Sequence, residues 1–225
     1  MSNPPLRLGV LVSGRGSNLE AIIHAGSSVQ MNATVAVVIS DRAQSQALEH
    51  ARRSQIPAVH LNPKTHASRE DYDTEVVRLL REHRADLVVL AGYMRLITSR
   101  LIEPYRNRII NIHPSLLPAF PGLHAHRQAL EWGVRISGCT VHFVNEAMDQ
   151  GPIIIQAAVP VLDGDTEEML EARVLEQEHR ILPQAIQFLA EDRLEISGRR
   201  VVLKSPKPTA GMNVVSPMIE LGFNQ

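Results

Sequence analysis

Leu6-Arg-Leu-Gly-Val-Leu-Val-Ser-Gly-Arg-Gly-Ser-Asn-Leu-Glu-Ala-Ile-Ile-His24 joins an apolar run, a glycine loop and the first turns of an amphipathic segment. Leu6 to Val12 reads as a buried strand, and Leu19 to His24 as the opening of a helix. A strand that turns through glycines into a helix leaves free backbone N–H groups pointing outward, where the helix dipole favours an anion. Gly14 and Gly16 let that backbone approach a phosphate closely. Ser17 or Asn18 is expected to cap the helix and to donate to the anion. The match to phosphate loops is partial. A third glycine of the dinucleotide fingerprint is missing, and no Gly-Lys-Ser/Thr follows. A plain capped β–α turn therefore stays open beside the anion site.

The same alternation continues outward from this unit. Ala33 to Ile39 is a second strand, rich in β-branched residues. Ser45 to Ser54 is a helix with one polar face, and Pro57 to Leu61 is a short third strand. Ser68 is placed to cap a helix through Arg84 that turns Val76, Val77, Leu79 and Leu80 inward. Arg69 lies in its first turn, where a cation opposes the helix dipole, which hints at an anionic partner from outside the helix. Asp86 to Ala91 is a fourth strand without a polar break, as a parallel interior strand requires. Thr98 to Tyr105 is a short helix, and Ile109 to His113 a fifth strand.

Beyond Pro121-Gly122, His124 to Trp132 reads as a helix, and Thr140 to Val144 alternates with His142 opposite Val141 and Phe143. Asn145 to Pro152 is a tight acidic loop, and Ile153 to Val161 is a strand paired to the previous one as a hairpin. Asp165 with Glu168 resembles a capping box at the head of a helix through about Ala190, which Pro183 is expected to kink. Arg193 to Leu203 suggests an edge ribbon. The expected fold is α/β, a doubly wound, mostly parallel twisted sheet with an antiparallel edge and a Rossmann-like first half. One domain is expected over residues 1–204, with a loosely ordered tail over 205–225.

The bulk numbers exclude several classes. In 225 residues the net charge is -1, which predicts neither a nucleic-acid nor a membrane surface. Cys139 is the only cysteine, so no intramolecular disulfide can form, as suits a reducing cytoplasm. The N-terminus lacks an apolar signal core, and no apolar run is long enough to span a bilayer.

The residues that carry chemistry cluster at predicted strand ends. Ile109-Ile-Asn-Ile-His-Pro-Ser-Leu-Leu-Pro118 delivers Asn111 and His113 to one side of a strand that two prolines then terminate. An amide and an imidazole together suit an oxygen that gains charge during a reaction. Asp149, in the acidic loop, is the best further candidate, since a carboxylate near an imidazole orients it and favours its charged form. Gly92-Tyr-Met-Arg-Leu-Ile97 follows the fourth strand, and Met94, Arg95 and Ile97 are placed to line a pocket at the sheet's carboxyl edge. Met94 and Ile97 as ordinary core is the alternative. The histidines 113, 124, 126 and 142 show no zinc spacing, and no metal is expected. Neither Cys139 nor Ser115 lies in a nucleophile's setting. What remains is acyl transfer by direct attack of a substrate amine, without a covalent enzyme intermediate.

SGRGSNLEAII, VVLAGYMRLI, NIHPSLLPAFPGLHAHRQAL, TVHFV, MDQGPII and QEH lie within a stretch from about Leu8 to Leu194 that resembles the phosphoribosylglycinamide formyltransferases, folate-dependent enzymes of purine synthesis. Methionyl-tRNA formyltransferases share a related Asn-x-His and Ser-Leu-Leu-Pro but continue differently and carry a further domain, as do formyltetrahydrofolate deformylases. The resemblance implies transfer of a formyl group from 10-formyltetrahydrofolate to the amine of glycinamide ribonucleotide (GAR) by a cytoplasmic enzyme. It implies Asn111, His113 and Asp149 as the catalytic trio. Gly14, Arg15, Gly16, Ser17, Asn18 and Glu178 would hold the phosphate and ribose. Arg69, Met94, Arg95, Leu96 and Ile97, with Asn111, Asp149 and the 145–149 loop, would hold the folate. His142, Ser115 and Thr140 are support.

Two positions depart from the family's pattern. Arg15 stands inside the phosphate loop where a smaller polar residue is expected, and Leu175 stands one turn before Glu178 in place of a polar residue. The expected partners are the two small-molecule substrates, and a monomer and a homodimer are both compatible with the sequence. A hydrolase that releases formate from the same folate, and a non-catalytic nucleotide- or folate-binding module, are the alternatives.

Overall fold

A computed structural model describes residues 4–28, 31–205 and 215–216. The chain runs β1 (Leu6–Val12), α1 (Ser17–Ser27), β2 (Ala33–Ser40), α2 (Gln46–Arg53), β3 (Ala58–His60), α3 (Arg69–Glu82), β4 (Leu87–Leu90), α4 (Ser99–Ile102) and β5 (Ile109–His113). It continues as α5 (Ala125–Trp132), β6 (Ile136–Phe143), β7 (Ile153–Pro160), α6 (Glu167–Ala190), β8 (Leu194–Ser197), β9 (Arg200–Leu203) and β10 (Val215–Ser216). The sheet order is β3-β2-β1-β4-β5-β6-β7-β9-β8, with β10 against β7. Strands β1 to β5 pair in parallel, and β5–β6 and β6–β7 pair antiparallel. The doubly wound reading with an antiparallel edge therefore holds, and β8 and β9 form the expected ribbon. The tail reading falls outside the described residues, apart from Ser205 and the short β10 bridge to Ala157 and Gln156.

Strand alternation assigns the two faces. Leu8, Val10 and Val12 of β1, Ile110 and Ile112 of β5, and Cys139, Val141 and Phe143 of β6 pack with α1, α2, α5 and α6 in one core. Leu11, Val88, Leu90 and Ile109 face α3 and α4 in the other. On β5 and β6 the second face turns polar beyond Ile109, at Asn111, His113, Thr140 and His142. Register places Asn111 opposite His142 and His113 opposite Thr140. Loops, not a helix, cover this polar patch.

The chain order reverses between β1 and β4, which opens a crevice at their carboxyl ends. Ser13 ties that crevice together, since its N–H donates to the Gly92 carbonyl at 3.1 Å and its Oγ accepts from Met94 N–H at 2.9 Å.

Two local expectations, both of helix caps, are corrected. The N-cap of α1 is Gly16 at φ 85°, and neither Ser17 nor Asn18 caps it. A Cβ on Gly16 would meet Ala47 at 2.6 Å, so tight packing on α2 and the left-handed backbone both require glycine there. The α6 cap is Thr166, which accepts from Met169 N–H, because Asp165 is committed to Leu162 N–H and to Arg173. That charge-assisted pair holds the Asp165 carboxyl down to about 2. Helix α6 runs through Pro183, which is buried beside Leu182, Ala185 and Ile186. Ser68 caps α3 as expected, accepting from Asp71 N–H.

Candidate active site

Two clusters and an apolar lip converge on the carboxyl edge of β1, β4 and β5. The first cluster is Asn111, His113, Asp149 and His142. His142 Nδ1 lies 2.8 Å from the Phe143 carbonyl, so that nitrogen carries the proton, and the neutral ring's Nε2 accepts from Asn111 Nδ2 at 3.1 Å. Burial pushes the His142 pKa down against the opposing pull of Phe143 and Asp149, so the neutral ring is the stable form. One hydrogen of the Asn111 amide is thereby committed and the other is left for a ligand.

His113 is 4% exposed, and its Nε2 donates to the Phe120 carbonyl at 2.9 Å. Its Nδ1 faces Asp149 Oδ2 at 3.5 Å, beyond the length of a formed charge-assisted hydrogen bond. Asp149 Oδ2 also accepts from Gly122 N–H at 2.8 Å, and Asp149 Oδ1 lies 3.8 Å from His142 Nε2. The ring is thus oriented by a backbone carbonyl, the part that the sequence reading gave to Asp149, and Asp149 stands on the ring's remaining face. Phe120, His124 and Asp149 all carry positive φ, as does Gly122. Left-handed backbone at three non-glycine residues concentrates strain around this cluster.

Thr140 Oγ1 donates to the Ser115 carbonyl and accepts from Leu117 N–H and Gln156 Nε2, while Ser115 Oγ donates to the Ala119 carbonyl. These bonds anchor the loop that carries Phe120 and contains the cis Leu117–Pro118 peptide.

The second cluster is the glycine loop. Its Gly14 carbonyl accepts from Ser45 Oγ at 2.8 Å and Ala47 N–H at 3.3 Å, which fixes the loop against the start of α2. A cleft of about 600 Å³ lies here, lined by Ser13, Gly14, Arg15, Arg42 and Ser45 among others. Asn18 Nδ2 donates to Glu178 Oε2 at 2.7 Å, and Asn18 Oδ1 is buried without a partner. Burial raises the Glu178 pKa, the Asn18 hydrogen bond opposes the shift, and Glu171 adds to it. Arg15, on the loop, pairs with Glu171 of α6.

The lip follows β4. Met94 and Leu96 are each 56% exposed, which overturns the core alternative for Met94, whereas Ile97 is half-buried against the α3 core. The Arg95 guanidinium lies 4.7 Å above the Tyr72 ring. Arg69 is exposed at the head of α3, and among the described residues no hydrogen bond or ion pair joins it to the other site residues. Since β4 pairs with both β1 and β5, the loop and the β5 cluster lie two strands apart, about 10 Å.

Sequence reasoning missed the Phe120 carbonyl, the Gly122 N–H, Gln156 and Glu171. Two are backbone groups, which every residue carries, so residue type cannot flag them. Gln156 was findable as a polar break in the apolar β7 run. Among the described residues, no three His, Cys, Asp or Glu side chains gather as a metal-holding group, and no helix is long and apolar enough to cross a membrane.

Residues 6–186 match the family model described as formyl transferase. The phosphoribosylglycinamide formyltransferase of Escherichia coli (strain K12) is 46% identical over 191 residues, which cover 85% of this chain and 90% of that protein. The trifunctional purine biosynthetic protein adenosine-3 of Drosophila pseudoobscura pseudoobscura is 47% identical over 86% of this chain, but the match spans only 14% of that longer protein. Among solved structures, glycinamide ribonucleotide transformylase 1 from Symbiobacterium toebii superposes with a TM-score of 0.89 at 53% identity, covering 90% of this chain and 96% of that one.

Proposed function

This chain belongs to the phosphoribosylglycinamide formyltransferases of the formyl transferase family, and from that premise we propose that it transfers a formyl group from 10-formyltetrahydrofolate to the amino group of GAR in purine synthesis. The observation that carries this reading is the Asn111–His113–Asp149 cluster, with His113 buried and its two partners half-buried. It holds oriented donors and a carboxylate, and it contains no nucleophile. Cys139 is fully buried in the opposite core, and burial raises its thiol pKa further.

The folate supplies an activated formyl carbon. The GAR amine forms the new C–N bond, and the bond from that carbon to the folate nitrogen breaks. Negative charge develops on the formyl oxygen. The uncommitted Asn111 amide hydrogen donates to it, as does His113 Nδ1–H when the ring is protonated. With Nε2 held by Phe120, only Nδ1 is free for this task. Asp149, on the Nδ1 side and gripped by Gly122 N–H, takes the proton that leaves the amine and passes it toward the folate nitrogen, directly or through water.

The glycine loop holds the GAR phosphate with the backbone N–H groups of Gly16, Ser17 and Asn18 at the α1 N-terminus. Glu178 meets the ribose hydroxyls, without help from position 175, where this chain carries Leu. Met94, Leu96 and Ile97 give the folate ring an apolar lip, while Arg95 and Arg69 suit its carboxylates. A single formyltransferase domain over 1–204, in the cytoplasm and without a resident metal, is sufficient for this chemistry.

The test is a spectroscopic assay of tetrahydrofolate release with both substrates. The expected result is turnover that requires GAR and yields formyl-GAR. Formate release at the same rate without any amine would replace this reading with the hydrolase.

A further inference from the structure

Helix α6 turns Glu171, Leu175 and Glu178 to one side, since they are spaced four and three residues apart. That side meets the glycine loop at two points, through Arg15–Glu171 and Asn18–Glu178. The two contacts differ in kind. Glu178 is buried, whereas the Arg15 and Glu171 side chains are 73% and 34% exposed. An ion pair that open adds little to stability and breaks readily.

Arg15 also has a particular place. It immediately precedes Gly16, the N-cap of α1. A cation there adds to the positive end of the helix dipole and is unfavourable unless an anion neutralises it. Glu171 is that anion, and its charge also acts on His126 and Glu178. A phosphate monoester carries up to two charges and three acceptor oxygens, so it meets both the free N–H groups and the guanidinium fork. A carboxylate tethered to α6 meets the guanidinium alone.

We propose that Arg15 and Glu171 form an exchangeable latch at the phosphate loop. Arg15 turns from Glu171 to the substrate's phosphate as the substrate enters, and returns to Glu171 when the product leaves. Glu171 is thus a specificity-determining residue that acts through Arg15, by competing with weakly charged ligands for the guanidinium. The latch rests on the reading that this loop takes phosphate.

The test compares wild type with R15Q, E171Q and the double variant. Three quantities are measured: KM for GAR, the dissociation constant of ribose 5-phosphate by calorimetry, and Tm. R15Q is expected to raise KM and the dissociation constant about tenfold, the loss of one charge-assisted contact, with kcat much less affected. E171Q is expected to lower both constants about threefold, since Arg15 is no longer shared. The double variant is expected to match R15Q, because Glu171 works only through Arg15. Melting temperatures are expected to stay within about 3 °C of wild type, as exposed sites allow.

Unchanged constants in R15Q, or weaker binding in E171Q, would overturn the latch, as would a double variant that differs from R15Q. A wild type that binds ribose 5-phosphate but forms no product from GAR overturns the transferase reading and leaves the latch intact. Normal turnover with an R15Q variant indistinguishable from wild type overturns the latch alone.

Discussion

The glycine loop after β1 and the polar edge of β5 use hydrogen bonds in opposite ways. The loop spends its Gly14 carbonyl on α2 and turns its amides outward at the head of α1. Its donors are backbone groups of consecutive residues. The β5 edge buries its two imidazoles, half-buries Asn111 and Asp149, and commits most of their capacity to internal partners: Asn111 to His142, His113 to Phe120, Asp149 to Gly122. Its members come from positions as far apart as 111 and 149. The difference teaches a division of labour. On the proposed function, a fully charged, freely diffusing phosphate would be met by an open set of backbone donors that costs little to keep solvated. On the same proposal, a charge that exists only during reaction would be met by an enclosed, preorganised set, because donors act more strongly in a low dielectric and need not reorganise.

The largest expected effect falls on the enclosed side. His113→Ala is predicted to lower kcat by about a thousandfold while the dissociation constants of both substrates change little. Steady-state kinetics with independent binding titrations checks this. A loss carried by binding alone would remove the oxyanion role and with it the contrast between the two regions.

On the loop side, Gly16→Val forces a β-branched residue into φ 85° with its Cβ against Ala47. It is predicted to cost about 2–3 kcal/mol in stability and to weaken phosphate binding, as read by chemical denaturation and calorimetry. Binding that survives the substitution would mean that the loop backbone does not hold the anion.

Glu178 belongs to both regions, since it is buried like the β5 edge and joined to the glycine loop through Asn18. Its raised pKa means that the unfolded chain ionises before the folded one as pH rises. Its contribution to stability is therefore full below about 4.5 and is lost as pH rises through the folded value. Glu178→Gln is predicted to raise Tm at pH 7 while raising KM for GAR, a split that melting curves and kinetics resolve together.

The smallest effect concerns His142. Its pKa is lowered by burial, so the unfolded chain takes up its proton first as pH falls. The stability it contributes is complete above about 6.5 and is lost as pH drops through the depressed folded value. His142→Asn is predicted to flatten part of the fall in Tm below pH 6.5, and His126 and His179, shifted the same way by burial, keep the rest.

Much of this molecule was legible in the chain itself. Uninterrupted Val and Leu runs marked the parallel strands, and the cap at Ser68 marked α3, because these depend on neighbours a few residues away. The catalytic candidates were legible as residue types at a strand end. Caps were misjudged at α1 and α6, where Gly16 packs against Ala47 and Asp165 is taken by Arg173. The first contact is long-range; the second joins residues eight apart, and residue type alone does not say which partner Asp165 takes.

By itself, the sequence determined the periodicity of most strands and helices, though β6 starts at Ile136 and not at the expected Thr140, together with the glycine loop and the identity of the candidate donors Asn111 and His113. These follow from side-chain chemistry and short-range geometry. Only the tertiary structure decided what each donor is bound to. The antiparallel register sets His142 against Asn111 and Thr140 against His113, and the left-handed turn at Phe120 brings a carbonyl to His113 Nε2. Arg15 likewise reaches Glu171 only because α1 packs on α6. Such pairings are chosen by the burial of whole elements, a free energy summed over many residues, and a polar group at the end of one strand carries no record of it.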